Sequence, residues 1–302
     1  MARSDAAFSD VILSGGTGRS GTTIIGKLLS RHSKIGLSRP SEIKMLTSGN
    51  GLLDLHLGRR VGWLKSLLVT DRLHLERFHY RLNNDWWERD SKVGEIAGLI
   101  QGIEAEELSE LYRGLTRNWK EDRKAAPREF FRSFVDSQKR VSGKDMWIET
   151  TPVNLFRARE LSEFLPGVRF IHMVRDGRDV IASVVREHWG PKTYEEGLTW
   201  YRRRMRRNLI NANFLSDKVF TISLEDLVIH KREDSLRKIL QFLNLESEDN
   251  LENYFSKEVV SDKVKRGRWR TEVQNLEEFN KSYFEIVTEL KAIDSKVPLE
   301  SW

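Results

Sequence analysis

The sequence predicts an α/β fold in which helices wrap a central parallel sheet of about four to five strands. Three observations carry that reading. Short apolar runs with the character of buried strands, at 10–14, 169–174 and 219–224, alternate with longer helical stretches. The first two of these runs each end in a glycine-bearing turn and pass directly into a helical segment. The 302 residues suit about two domains, or one large α/β domain with a sizeable core.

Taken in order, DVILS (10–14) is the first strand and IIGKLLSRH (24–32) the helix after it. From about 51 to 140 the pattern turns helical and rich in Leu, Arg, Glu and Trp, as in LHLGRRVGWLKSLLV and EAEELSELYRGLTRNWKED. This block reads as a helical lid inserted over one end of the sheet. A helix is expected over 153–164, a turn at Pro166-Gly167, a strand over 169–174, a tight turn at Asp176-Gly177 and a helix over 178–187. Residues 195–215 read as helical, VFTISL (219–224) as a strand and DSLRKILQFLNL as an amphipathic helix. There is no repeat, low-complexity linker or clean boundary, so residues 1–302 are expected to form one domain.

Composition narrows the function. Lys and Arg number 51 against 45 Asp and Glu, a net charge of +6 that suits an anionic ligand but is spread too thinly for a nucleic-acid arm. The run WYRRRMRR (200–207) puts Arg202, Arg203, Arg206 and Arg207 on one face, which reads as a solvated helix face, so no nucleic acid is expected as partner. Mean hydropathy is −0.53, and no apolar run approaches the ~20 residues of a membrane span. The opening MARSDAAF lacks the apolar centre of a signal peptide, so a cytoplasmic protein is expected. With no Cys, disulfides, thiolate catalysis and Cys-ligated metals are excluded.

Two segments carry chemistry. The first strand runs into Gly16-Thr17-Gly18-Arg19-Ser20-Gly21-Thr22-Thr23 and then a helix, a phosphate-loop template with Thr22 in place of the lysine. Glycines let backbone amides approach an anion, the helix start adds free N–H groups and a positive dipole end, and Ser20, Thr22 and Thr23 add hydroxyls. The expected fold is therefore a phosphate-loop-like (P-loop-like) three-layer one. A kinase or NTPase would use the missing lysine on its β- and γ-phosphates beside Mg²⁺. Arg19 inside the loop is the substitute cation, which fits sulfuryl transfer from a phosphosulfate without a metal. In the second segment, strand 169–174 ends in Arg175-Asp176-Gly177-Arg178-Asp179, and Ser183 follows two turns into the next helix. Arg175 and Ser183 could hold a second phosphate; the ordinary alternative is an Asp176–Arg178 surface network with a capping Asp.

On these residues the chain resembles a PAPS-dependent sulfotransferase, PAPS being 3′-phosphoadenosine 5′-phosphosulfate. GRSGTT is similar to the family's 5′-phosphosulfate loop and VRDGRDVIASVV to its 3′-phosphate motif, with the eight-residue step from Arg175 to Ser183 kept. The likeness is strongest to the branch containing bacterial and protein-tyrosine sulfotransferases, and the Thr151-Pro152 dipeptide fits it. LEDLVIHKREDSLRKILQFLNL resembles the family's E-D-L and following helix. KRGRWR (265–270) resembles its late G-R-W loop, which folds over the donor. The matching stretches run from about 10 to 47 and from 145 to 275.

The resemblance implies PAPS as co-substrate, PAP as product and no metal. It implies donor contacts from Gly18, Arg19, Ser20, Gly21, Thr22, Thr23, Arg175, Ser183, Arg266, Gly267, Arg268 and Trp269. The general base in this branch is a Glu shortly after the first helix, which falls on Glu42, and Arg19 matches the Arg that contacts the sulfuryl and bridging oxygens. The family often has a Lys shortly before the proline, where this chain has Thr150; Lys144 or Lys44 could stand in for it. Glu149 either lines the site or is a satisfied carboxylate at a strand end. Among the histidines, His172 reads as sheet packing, His32 as the end of a helix and His188 as a reserve base. The acceptor is expected to carry a hydroxyl, with a carbohydrate or glycolipid favoured, and Trp63, Trp86, Trp87 and Trp119 offer either ring platforms or lid core. The competing readings are a Mg²⁺-dependent small-molecule kinase and an inactive nucleotide-binding scaffold.

Overall fold

The computed structural model describes residues 7–58, 71–90 and 96–299. The chain begins β1 Val11–Gly16, α1 Thr22–Leu29, β2 Ile35–Leu37, α2 Leu52–Leu57 and α3 Asp71–Asn84. Next come β3 Arg89–Asp90, β4 Ile96–Ala97, α4 Ala105–Asn118, α5 Ala125–Ser142 and β5 Met146–Glu149. After these lie α6 Ala158–Phe164, β6 Arg169–Val174, α7 Gly177–Val184, α8 Tyr194–Phe214 and β7 Val219–Ser223. The chain closes with α9 Arg232–Leu243, α10 Asp249–Glu258, α11 Trp269–Glu272 and α12 Leu276–Ile293. Five strands share one sheet in the order β2-β5-β1-β6-β7, with β2–β5 and β6–β7 parallel. The expected parallel sheet flanked by helices is present, and no described helix is long and apolar enough to cross a membrane. Two compact units divide the chain: residues 1–12, 34–151 and 160–168, and residues 13–33, 152–159 and 169–302.

In the first unit, β2 and β5 pair with Ile35 opposite Met146 and Leu37 opposite Ile148. Trp147 of β5 is fully buried and meets Phe131 and Phe134 edge-on, with centroids at 5.9 and 6.4 Å. These two and Phe130, Val135 and Gln138 sit three to four residues apart on α5, which is the buried stripe of an amphipathic helix. The block expected to be a helical lid is helical in α2 through α5, but β3 and β4 interrupt it with an antiparallel pair. There the carbonyls of Trp86 and Trp87 accept from the amides of Leu99 and Ile100, at 2.9 and 3.1 Å. Bonded across the chain in this way, they cannot continue a helix. Trp86 and Trp119 are buried at 2% and 6% exposure, so they are core and not platforms. Trp63 lies outside the described residues.

In the second unit, β6 and β7 pair from Phe170 opposite Val219 to Val174 opposite Ser223. One apolar cluster joins Val180, Ile181 and Val184 of α7 to Tyr201, Met205 and Leu209 of α8 and Tyr283, Val287 and Leu290 of α12. Each fully buried aliphatic side chain of this kind contributes about 1.5–3 kcal/mol relative to exposure. The helices start where cap residues allow. Asp176 accepts from the Arg178 amide, Thr193 from that of Glu196 and Asn275 from that of Glu278. The helix expected over 153–164 has two parts, a tight 3-10 stretch over Pro152–Arg157 and then α6. Asn211 Nδ2 donates to the carbonyls of Leu155 and Phe156 at 2.8 and 3.0 Å, which withdraws both from an α-helical ladder.

Candidate active site

β1 delivers the chain to Gly16, where the backbone passes so close to β6 that an added Cβ would lie 2.5 Å from the Met173 carbonyl. Gly18, Arg19 and Gly21 then adopt left-handed conformations, with φ of 92°, 58° and 98°. Arg19 in that region costs about 1–3 kcal/mol, a strain that gathers at functional sites. Successive amides in such turns form a concave anion nest. Gly21 gives α1 no side-chain cap, and the first turn holds no acidic residue. The amides at the start of α1 and its positive dipole end are thus left to an anion. The Ser20 hydroxyl is buried without a hydrogen-bond partner.

The second motif meets this loop through side chains. Arg19 Nε donates to Ser183 Oγ at 2.8 Å, and Arg175 Nη1 donates to the Arg19 carbonyl at 3.0 Å. Arg175 Nη2 donates to the Lys265 carbonyl and stands 3.8 Å from Asp179. The Gly267 amide donates to Asp179 Oδ1 at 2.7 Å. The phosphate loop, Arg175, Ser183 and the 265–267 segment are therefore gathered into one place, as the motifs imply. Arg266 is exposed, and Arg268 Nε lies 3.7 Å from Glu272. Trp269 is only 3% exposed, and its ring covers the Arg178 guanidinium at 4.3 Å. Three buried polar atoms without hydrogen-bond partners belong to the two motifs: the donors Ser20 Oγ and Arg175 Nε, and the acceptor Asp179 Oδ2.

Beneath this cradle lies a buried polar network. Arg178 grips Asp176 with Nε at 3.1 Å and Nη2 at 2.7 Å, and donates Nη1 to Asn280 at 2.9 Å. Its guanidinium is stacked among Trp269, Tyr283 and Phe284. The Gly177 amide donates to the Tyr283 hydroxyl at 3.0 Å, and the Tyr201 hydroxyl donates to the Arg175 carbonyl at 3.3 Å. The Asp176–Arg178 pair is thus an interior scaffold and not a surface network. The sequence reading missed the partners that α12 supplies, although Phe279, Tyr283, Ile286, Val287 and Leu290 repeat at helical spacing.

Glu225, 3% exposed, accepts the Asp176 amide at 2.8 Å. Burial pushes its carboxyl up to about 7, against the pull of that amide, with Asp176 raising it further and Arg175 opposing. The folded chain therefore holds a proton that the unfolded chain has lost, so this contribution is complete below about pH 4.5 and drains away as pH rises through about 7. At about 1.4 kcal/mol per pH unit, up to about 3 kcal/mol is at stake. The difference in urea stability between wild type and Glu225→Gln is expected to swing toward the variant from pH 5 to pH 8; a constant difference would contradict it. Burial also raises the Asp179 carboxyl and lowers the Arg175 guanidinium, which nearby Asp179 and Glu225 partly restore.

In the first unit, the segment carrying Glu42 is irregular, and Glu42 is half-buried. Thr150, at the place of the family's lysine, gives both its amide and its hydroxyl to the Ser41 carbonyl, each at 2.9 Å. Glu149 is fully buried and accepts from the amides of Ile43 at 3.1 Å and Thr151 at 2.9 Å. It is the satisfied strand-end carboxylate of the two readings. Arg89 Nη2 donates to the Glu42 carbonyl at 3.4 Å. Burial and Arg89 lower the Lys44 ammonium, which attraction to Glu42 partly offsets.

Of the histidines, His172 packs in the sheet as expected, whereas His32 lies beyond the end of α1, which stops at Leu29. His172 is fully buried in β6, and burial pushes it down to about 3, which makes it a neutral packing group. Buried His32 bonds the Glu246 carbonyl at 3.1 Å and lies 3.5 Å from Glu248. His188 is exposed, and its carbonyl accepts from Lys192 Nζ.

A family model described as "Sulfotransferase family" matches residues 12–249. No curated protein matches the chain. Among solved structures, the chain is similar to the sulfotransferase domain of the olefin synthase of Synechococcus PCC 7002, at 18% identity and a TM-score of 0.50, covering 92% of each chain. It is likewise similar to the sulfotransferase STF9 of Mycobacterium avium, at 12% identity and a TM-score of 0.53, covering 99% of this chain and 80% of that one. At these identities the likeness is one of fold.

Proposed function

The chain belongs to the sulfotransferase family, and from that premise we propose that it moves a sulfuryl group from PAPS to an acceptor hydroxyl by in-line displacement, with Glu42 as general base. The observation that carries this reading is the Arg19–Ser183 hydrogen bond at 2.8 Å, which joins two phosphate-binding motifs 164 residues apart. PAPS supplies the sulfuryl group on a phosphate leaving group. The amides and hydroxyls of Gly18, Arg19, Ser20, Gly21, Thr22 and Thr23 hold the 5′-phosphosulfate. Arg175 and Ser183 hold the 3′-phosphate, and Arg266, Gly267, Arg268 and Trp269 frame the nucleotide. Arg19 stabilises the negative charge that develops on the bridging oxygen. Glu42 takes the acceptor's proton.

The reaction as proposed needs no metal. A carbohydrate or glycolipid is the favoured acceptor, and the 50%-exposed Trp189, 6.5 Å from Trp200, supports it as a surface on which a sugar ring can stack. The test is transfer of label from sulfur-labelled PAPS to a panel of sugars, glycolipids and phenols in the presence of EDTA. Labelled sulfate esters are expected, with sugars or glycolipids leading. Phosphate transfer from Mg·ATP with no sulfate ester would overturn the reading.

A further inference from the structure

The arginine run of α8 is not uniform. Arg202 and Arg206 reach Glu289, at 2.6 and 3.9 Å. Arg203 and Arg207 are exposed, and Arg207 also donates to the Phe156 carbonyl at 3.4 Å. Arg204 turns the other way and is half-buried. Its guanidinium lies over the Trp200 ring at 4.6 Å, and its Nη1 donates to the Thr17 carbonyl at 3.3 Å. Thr17 is the fully buried residue immediately before Gly18 and Arg19, the first two of the three left-handed residues of the phosphate loop.

No carboxylate among the described residues pairs with Arg204. Burial lowers its guanidinium, and the neighbouring Arg203 lowers it further. A cation drawn out of water with no acid to neutralise it is costly. Beside an anion cradle, that cost is offset when the anion arrives.

We propose that Arg204 is a positioning residue for sulfuryl transfer: it fixes the Thr17 carbonyl so that the loop amides present themselves to the 5′-phosphosulfate, and its charge favours the leaving phosphate. It thereby supplies, from α8, a cation behind the loop. This rests on the reading of residues 18–23 as the donor loop. The 5′-phosphate of PAP concentrates on its own oxygens the charge that PAPS divides between phosphate and sulfuryl group, so loss of a cation beside the phosphate weakens the product complex more than the substrate complex.

The test compares wild type, Arg204→Gln and Arg204→Lys by PAP calorimetry, by competition between PAP and PAPS, and by steady-state kinetics, each on protein shown to be folded by its melting curve. Arg204→Gln is expected to weaken PAP by about tenfold, which is about 1.4 kcal/mol. It should weaken PAPS less and lower kcat by about tenfold or more, while Arg204→Lys, which keeps the charge, restores most of both. Equal PAP affinity and kcat across the three proteins, or a melting-temperature loss alone, would overturn the assignment. Wild type that binds no PAP would instead overturn the donor-loop reading on which it rests.

Discussion

Glu42→Gln is expected to bind PAP as wild type does and to lose about 10²–10⁴-fold in kcat, the range a general base contributes. The carboxylate sits on a segment held from both sides. Thr150 anchors the Ser41 carbonyl, and Glu149 anchors the Ile43 amide. Glutamine keeps the shape and the hydrogen-bonding reach of the side chain, so the anchors stay and only the proton acceptor is removed. Arg89 and Lys44 both feel the Glu42 charge, which draws each upward against the effect of burial. Calorimetry with PAP and kcat measured on the same preparation separate the two effects. Unchanged kcat would place the base elsewhere, and lost PAP affinity would make Glu42 a structural residue.

Arg178→Ala is expected to cost about 3–5 kcal/mol of stability, because it leaves Asp176 as an uncompensated buried charge. Asp176 and Arg178 are exposed by only 2% and 4%, and the guanidinium makes two hydrogen bonds to that one carboxylate. The same change removes the cation from the Trp269, Tyr283 and Phe284 rings, a contribution of about 2 kcal/mol when desolvated. Arg178→Lys should restore little of this, since an ammonium cannot reproduce the planar fork. The urea midpoint reads the effect directly. A loss below about 1 kcal/mol would mean that the pair is only surface-worth. The chemistry above depends on this scaffold, because Asp176 caps α7 and Asp179 in its first turn holds Gly267.

The parts of the fold that could be read from sequence are those whose signals are local. β1, its glycine turn and α1 follow one another within 19 residues, from Val11 to Leu29, and β6, its turn and α7 within 16, from Arg169 to Val184. Apolar runs, glycines and a cap define both without distant help. The three-residue β2 has too little pattern to stand out. The split of the predicted 153–164 helix was hidden because its cause, Asn211, lies more than fifty residues away. The site behaves the same way. The motif residues themselves could be named, but the stack on Arg178 requires α12, about 100 residues downstream. The inward turn of Arg204 requires the loop at Thr17, 187 residues upstream. Glu225 stood inside a recognised E-D-L, yet nothing local announces that it is buried against the Asp176 amide.

The most direct measurement is isothermal calorimetry of PAP against the wild-type chain in EDTA, beside Arg175→Ala and beside Mg·ATP. Arg175 and Ser183 together with the Arg19 loop predict metal-independent PAP binding, a melting shift equivalent to about 2.7 kcal/mol at 100 Kd, and clear weakening in Arg175→Ala. Binding of Mg·ATP with none of PAP would contradict the donor site and the sulfuryl chemistry built on it.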